Sequence, residues 1–219
     1  MVYMIWEDLL SLIFPERCIG CNKQGSALCA ICERTITTKA KALSGTTAVL
    51  FDYHHPLIKK AIWSLKYERR IALGRYFGNA LYREFFKRLT KGNKLANEEI
   101  ILLPIPAGKK AIAMRGYNHA AVIANTIAKY GRADGMNILV GNDILYKKKE
   151  NTQQVKMREK GKREQNVLGI FGIHHKDLIR GKTIILIDDV ITTGATINEA
   201  KRAVKECGPK RVLAIAVAH

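Results

Sequence analysis

Residues 184–196 read Ile-Ile-Leu-Ile-Asp-Asp-Val-Ile-Thr-Thr-Gly-Ala-Thr, and this stretch constrains the fold more than any other. Four consecutive branched apolar residues, Ile184 to Ile187, suit a strand buried on both faces, which belongs in a parallel sheet covered by helices. Two carboxylates, Asp188 and Asp189, follow where that strand should end. Thr192, Thr193, Gly194, Ala195 and Thr196 then open a helix whose apolar positions are Ile197, Ala200, Ala203 and Val204. Open parallel sheets bind ligands at the carboxyl ends of their strands. Small and hydroxyl residues at a helix N-terminus bare backbone N–H groups that cradle phosphate. Acids beside such a cradle suit a sugar diol or a metal-chelated ligand, so the pattern points to a ribose 5-phosphate. The plainer alternative is a buried strand that happens to end in two acids, but adjacent carboxylates are costly unless something pairs with them.

The stretch resembles the signature of the type I phosphoribosyltransferases, which bind phosphoribosyl pyrophosphate (PRPP). The resemblance implies that Asp188 and Asp189 hold the ribose 2′- and 3′-hydroxyls and that the Thr192–Thr196 loop holds the 5-phosphate. A nucleotide triphosphatase is a poor rival. Gly181-Lys182-Thr183 looks like the tail of a Walker A motif, but the required first glycine would fall at Lys176 and the triplet precedes a strand. Lys182 therefore reads as an ordinary exposed residue at a strand start.

A chain of 219 residues suits one α/β domain with an appendage. No apolar run is long enough for a bilayer span, so stable membrane insertion is not expected. The first helix, about Val2 to Ile13, carries Glu7 and Asp8, lacks a basic start and makes a poor signal peptide. Its apolar stripe suits packing on the rest of the protein. The net charge of +18 points to a polyanion or an anionic substrate. The densest basic segment holds Lys147, Lys148, Lys149, Lys156, Arg158, Lys160, Lys162 and Arg163 against Glu150 and Glu159. With no aromatic residue inside it, this segment would bind phosphates instead of stacking on bases, in a salt-sensitive way.

Four of the five cysteines form Cys18-x2-Cys21-x7-Cys29-x2-Cys32, two knuckles that offer four thiolates to a structural zinc. Two disulfides or an iron–sulfur cluster are the rivals. Four thiolates leave no open position for catalysis, and a module this small has too little core to fold without metal. Cys207 reads as a packing residue.

Residues 1–36 are read as a helix plus zinc module, 37–46 as a linker, and 47–219 as the α/β domain. Strands are expected at Ala48–Tyr53, Ile100–Leu103, Ile144–Tyr146, Ile184–Asp189 and Val212–Val217. Helices are expected from Pro56, over about Ile71–Leu89, and over about Asn118–Lys129. The alternation means a mainly parallel sheet. A second ligand loop follows the Ile100 strand: Pro104-Ile105-Pro106, then Gly108–Tyr117 with Lys109, Lys110, Arg115 and Gly116. Those charges suit a pyrophosphate, Arg115 bidentately, and Gly116 would allow close backbone approach. His119 is either an acid–base group or a cap or surface histidine.

The cysteine knuckles, Leu65-Lys66-Tyr67, Pro104-Ile105-Pro106, Arg115-Gly116-Tyr117-Asn118, Arg163 with Asn166-Val167 and Phe171, and the acid-pair signature occur in that order. Together they resemble the ComF family of competence proteins over essentially the whole chain. The resemblance implies a type I phosphoribosyltransferase fold with an N-terminal zinc finger. It also implies a cytoplasmic role with incoming single-stranded DNA during natural transformation, beside a competence helicase. The alternative is an active phosphoribosyltransferase using magnesium-chelated PRPP, with a nucleobase or amine acceptor that nothing in the sequence names.

Overall fold

The computed structural model describes residues 15–36, 40–86, 98–148 and 168–219. The expected helix at Val2–Ile13 and the basic residues Lys149, Lys156, Arg158, Lys160, Lys162 and Arg163 lie outside them.

The ligand crevice is positioned by one six-stranded sheet. In chain order the elements are α1 (Ala30–Arg34), β1 (Lys41–Ser44), β2 (Thr47–Phe51), α2 (Pro56–Tyr67), α3 (Ile71–Leu81), β3 (Ile100–Pro104), α4 (Lys109–Arg115), α5 (His119–Ala133), β4 (Ile138–Val140), β5 (Leu145–Lys147), β6 (Phe171–Ile173), β7 (Thr183–Val190), α6 (Ala195–Lys205) and β8 (Arg211–Ala218). The strand order is β1-β2-β8-β7-β3-β4, and β5 with β6 forms a separate antiparallel ribbon. Within the large sheet only β1 runs antiparallel, against β2; the other pairs are parallel. The sheet is thus mainly parallel, as the alternation of strands and helices predicts.

β7 is central because its residues Ile184 to Ile187 are fully buried. One face packs on α2, α3 and α5 through Ile185 and Ile187, with Ile58, Leu65, Phe77 and Ile123. The other packs on α6 and the ribbon through Ile184 and Leu186, with Ile197, Val204 and Phe171. Alternation along the strand assigns neighbouring side chains to the two faces. Burying each such aliphatic side chain contributes roughly 1.5–3 kcal/mol. The cysteine segment joins the first of these cores through Cys18, Ile19, Ala27 and Leu28.

Three expectations are corrected. The stretch read as a linker contains β1, an edge strand whose burial pattern is almost wholly exposed and so carries no hydrophobic signature. The stretch read as the loop Gly108–Tyr117 contains α4, a helix with no buried residue; without a core-facing stripe it lacks the 3.6-residue apolar period. The helix expected over Ile71–Leu89 is α-helical only to Leu81 and turns π-helical over Tyr82–Phe86. No helix of the described residues is long and apolar enough to cross a membrane.

Candidate functional site

Asp188 and Asp189 stand in the last turn of the pleat of β7, at the carboxyl ends of the parallel strands. Alternation turns them to opposite sides. Asp189 is 3 % exposed, and its Oδ2 meets Lys66 Nζ at 2.9 Å and His119 Nε2 at 2.7 Å. Burial opposes its charge, but His119 and Lys66 outweigh that and hold its carboxyl below the usual range. Asp188 is only partly covered and accepts the backbone N–H of Asp189 at 2.9 Å. Burial, then repulsion from Asp189, pushes its carboxyl up to about 7 against the pull of Lys66 and Lys147. The two acids are therefore unequal: one is paired with Lys66 and hydrogen-bonded to His119, and the other is left without a matching partner.

Both partners of Asp189 come from elements that the sequence pattern brings to this spot. Lys66 is on α2, whose start is set by Pro56 and by His55 Nδ1 accepting the N–H of Leu57. His119 is buried in the first turn of α5. The cap of α5 is its neighbour Asn118, whose side-chain oxygen accepts the N–H of Ala120. The expectation of a cap or surface histidine is thus corrected. The second ring nitrogen of His119, Nδ1, is buried without a partner among the described residues. The side chains of His119, Asp188 and Asp189 bring ligand atoms within 4.8 Å of one another, a donor set that could hold a cation.

The Pro104-Ile105-Pro106 turn is tied to the same place. Ile105 N–H donates to Ile187 O at 2.8 Å, and Asn118 Nδ2 donates to Ile105 O at 3.0 Å. Tyr117 donates its hydroxyl to Leu65 O. Arg115 lies 4.9 Å above the Tyr67 ring. The motifs Leu65-Lys66-Tyr67, Pro104-Ile105-Pro106 and Arg115–Asn118 thus converge on the acid pair. Lys109 and Lys110 do not: both are exposed on α4. Gly116 caps α4 at φ +83°, and a Cβ there would meet nothing closer than Arg69 at 3.9 Å. Its left-handed backbone is what requires a glycine there.

The Thr192–Thr196 loop follows directly. Gly194, at φ +80°, turns the chain into α6 and leaves the helix N-terminus without a side-chain cap. The first N–H groups of a helix have no partner within it, so this end is electropositive and open. Thr193 Oγ1 accepts Ala195 N–H at 3.4 Å. A cleft of about 420 Å³ is lined by Thr192, Thr193, Gly194 and Asn198 on one side and by Lys41 and Ser44 on the other. Lys41 and Ser44 were missed because they sit on the exposed strand read as linker. Of the basic segment, Lys147 ends β5 and Lys148 follows it; Lys148 N–H donates to Ile170 O at 2.8 Å. Glu199 on α6 accepts Gly169 N–H at 2.6 Å and anchors the return of that segment. Lys182 is an ordinary strand-start residue paired with Glu99, as expected.

The cysteines also come together. Cys18, Cys21, Cys29 and Cys32 have their sulfurs within 4.8 Å of one another, all as free thiols. Cys21 Sγ and Cys29 Sγ are 3.6 Å apart, and Cys18 Sγ accepts Cys29 N–H at 3.3 Å. Burial opposes ionisation of Cys18, but the N–H groups of Cys29, Cys21 and Gly20 bring it down to about 6. Burial, then the crowding thiols, drives Cys32 up to about 12. The four cannot all ionise side by side without a cation between them.

The phosphoribosyl transferase domain family matches residues 111–219. Competence protein F of Haemophilus influenzae is 23 % identical over 206 residues, spanning 89 % of this chain and 86 % of that protein. Competence protein ComFC of Streptococcus pneumoniae is 30 % identical over 138 residues, spanning 63 % of this chain and 56 % of that protein. Among solved structures, the allosteric regulatory enzyme of purine biosynthesis aligns at 18 % identity and a TM-score of 0.36, and the aligned part is 25 % of its length. The family model and the two competence proteins, together with the acid pair at the end of β7 and the N-terminal cysteine cluster, support a ComF-family phosphoribosyltransferase-like protein.

Proposed function

We propose that the crevice binds a ribose 5-phosphate ligand of the PRPP type and that the protein handles incoming single-stranded DNA in the cytoplasm during natural transformation, beside a competence helicase. The observation that carries the ligand is one strand end offering two acids and, three residues on, an uncapped helix N-terminus. Asp188 and Asp189 take the ribose hydroxyls. Main-chain N–H groups and hydroxyls of Thr192, Thr193, Gly194, Ala195 and Thr196 take the 5-phosphate. The turn at Ile105 and Pro106, with Arg115 and Gly116, would take the pyrophosphate, and Lys109 and Lys110, exposed on α4, would add positive charge from further out. Magnesium fits the hard oxygens present: Asp188 is the carboxylate left open for it, while Lys66 and His119 already occupy Asp189. When bound, the ion would offset charge between the acids and the diphosphate. The structural role of 1–36, as distinct from the ligand-binding 47–219, is to close on zinc through Cys18, Cys21, Cys29 and Cys32. Metal analysis should return one zinc per chain, lost in Cys18→Ser.

Single-stranded DNA is supported by the similarity to competence proteins and by the net charge of +18. Lys147, Lys148, Lys149, Lys156, Arg158, Lys160, Lys162 and Arg163 would contact its phosphates. Lys147 is among the charges that pull on Asp188, which supports this segment acting near the crevice. Gel-shift titration at several salt concentrations tests the reading. Binding that steepens as salt falls is expected, and none at low salt would sink it.

A second reading is favoured by the charge held on Asp189. A carboxylate kept ionised by Lys66 and His119 would ease a cationic ribosyl centre, so the same site suits an active phosphoribosyltransferase. Pyrophosphate release from PRPP, screened against nucleobases and amines, separates the two readings.

A further inference from the structure

Among the described residues, Trp63 and Tyr67 are the most open large aromatic residues, at 52 % and 54 % exposure. They stand four residues apart on the outer face of α2, with ring centroids 5.4 Å apart. Leaving two such rings in water forgoes a large hydrophobic gain, so they are expected to meet a partner. Three features say which.

First, α2 carries Lys59, Lys60 and Lys66 and no acidic residue. Lys59 lies one turn before Trp63 and is exposed, so a cation and two rings follow one another along a single stripe. Second, Arg115 already lies 4.9 Å above Tyr67, and Arg69 reaches across to donate to Met114 O at 3.4 Å. Arg115 thus already puts positive charge on one face of the Tyr67 ring. A positive stripe would repel a second copy of this basic chain. Third, the stripe adjoins the crevice: Lys66, next to Tyr67, touches Asp189.

We propose that Trp63 and Tyr67 form a stacking ledge for the unpaired bases of a single strand, with Lys59, Lys60 and Arg69 flanking its phosphates. The ledge rests on the single-stranded DNA reading above and supplies what the basic segment lacks, since that segment holds no aromatic residue. Stacking is sequence-tolerant because every base presents a π-face, so a strand of any sequence would be held.

The test is fluorescence anisotropy with a labelled oligo-dT, comparing wild type with Trp63→Ala and Trp63→Phe, and repeating the series with an abasic oligomer. Trp63→Ala should weaken oligo-dT binding about tenfold, the loss of one base–aromatic stack. Trp63→Phe should keep most of the affinity. Neither variant should alter abasic binding, and Trp63→Ala should bind PRPP with magnesium as the wild type does. Intrinsic tryptophan fluorescence should be quenched by oligo-dT in the wild type and not in Trp63→Phe, whose remaining tryptophan is Trp6. Equal oligo-dT affinity in wild type and Trp63→Ala would overturn the ledge and leave the DNA reading standing. Loss of oligo-dT and PRPP binding together would also overturn it. A wild type that binds no oligo-dT at low salt would instead remove the DNA reading on which the ledge rests.

Discussion

The two ends of β7 hold acids in opposite circumstances. At its start, Glu98 accepts from Thr183 Oγ1 and pairs with Lys210 Nζ at 3.0 Å and with Arg211. The Thr183 hydroxyl, helped by both cations, keeps its carboxyl below the usual range against burial. At its end, Asp188 is pushed up to about 7 by burial and by its neighbour. One acid is surrounded by donors in sufficient number, whereas the other sits where its charge is least welcome. The first arrangement stabilises the sheet; the second keeps free energy in reserve for a ligand that brings hydroxyls or a cation. Strained electrostatics of this kind mark functional sites more often than structural ones.

The largest change that tests this contrast is Glu98→Ala. It strands Thr183, Lys210 and Arg211, and should cost about 1–3 kcal/mol in urea denaturation while leaving PRPP affinity unaltered. Lys66→Met removes the lysine paired with Asp189 and leaves the His119 contact. Because Lys66 is partly solvated, the stability loss should be smaller, about 1 kcal/mol, and PRPP affinity should fall with it. Asp188→Asn should do the reverse of Glu98→Ala: by removing repulsion it should raise Tm by a few degrees and weaken PRPP binding.

The smallest effect is in pH. A carboxyl whose folded pKa is raised holds its proton longer in the folded chain than in the unfolded one, where it titrates near 3.9. The Asp188 contribution is therefore fully present below about pH 4 and lost as pH rises towards about 7. Glu98 is the opposite: its contribution is present above the unfolded value and lost as pH falls through the lower folded one. Ligand-free wild type should decline relative to Asp188→Asn as pH rises from about 4 to 7. Parallel curves would remove the distinction between the two ends.

The strand Ile184–Asp189, the acid pair and the cysteine cluster were legible because each is written locally: an apolar run, a dipeptide, a spacing. The elements that escaped are those whose identity depends on a neighbour. β1 is a strand only because β2 pairs with it, and α4 has no buried face to impose a period. Lys66 and His119 lie far from Asp189 in sequence, and only the fold sets them at 2.9 and 2.7 Å from it. A trace of Lys66 existed in the resemblance, as the middle of Leu65-Lys66-Tyr67, without a role. For His119 the sequence left an acid–base group and a cap or surface histidine both open, because a helix start suggests a cap; the cap is the preceding Asn118.

The most direct test of the central claim is isothermal titration of PRPP with magnesium into the wild type and into Asp188→Asn/Asp189→Asn. The site as built predicts saturable one-to-one binding by the wild type and a loss of at least a hundredfold in the double variant, with the variant still folded. Equal affinity in both proteins would contradict it, and so would a wild type that takes up no PRPP.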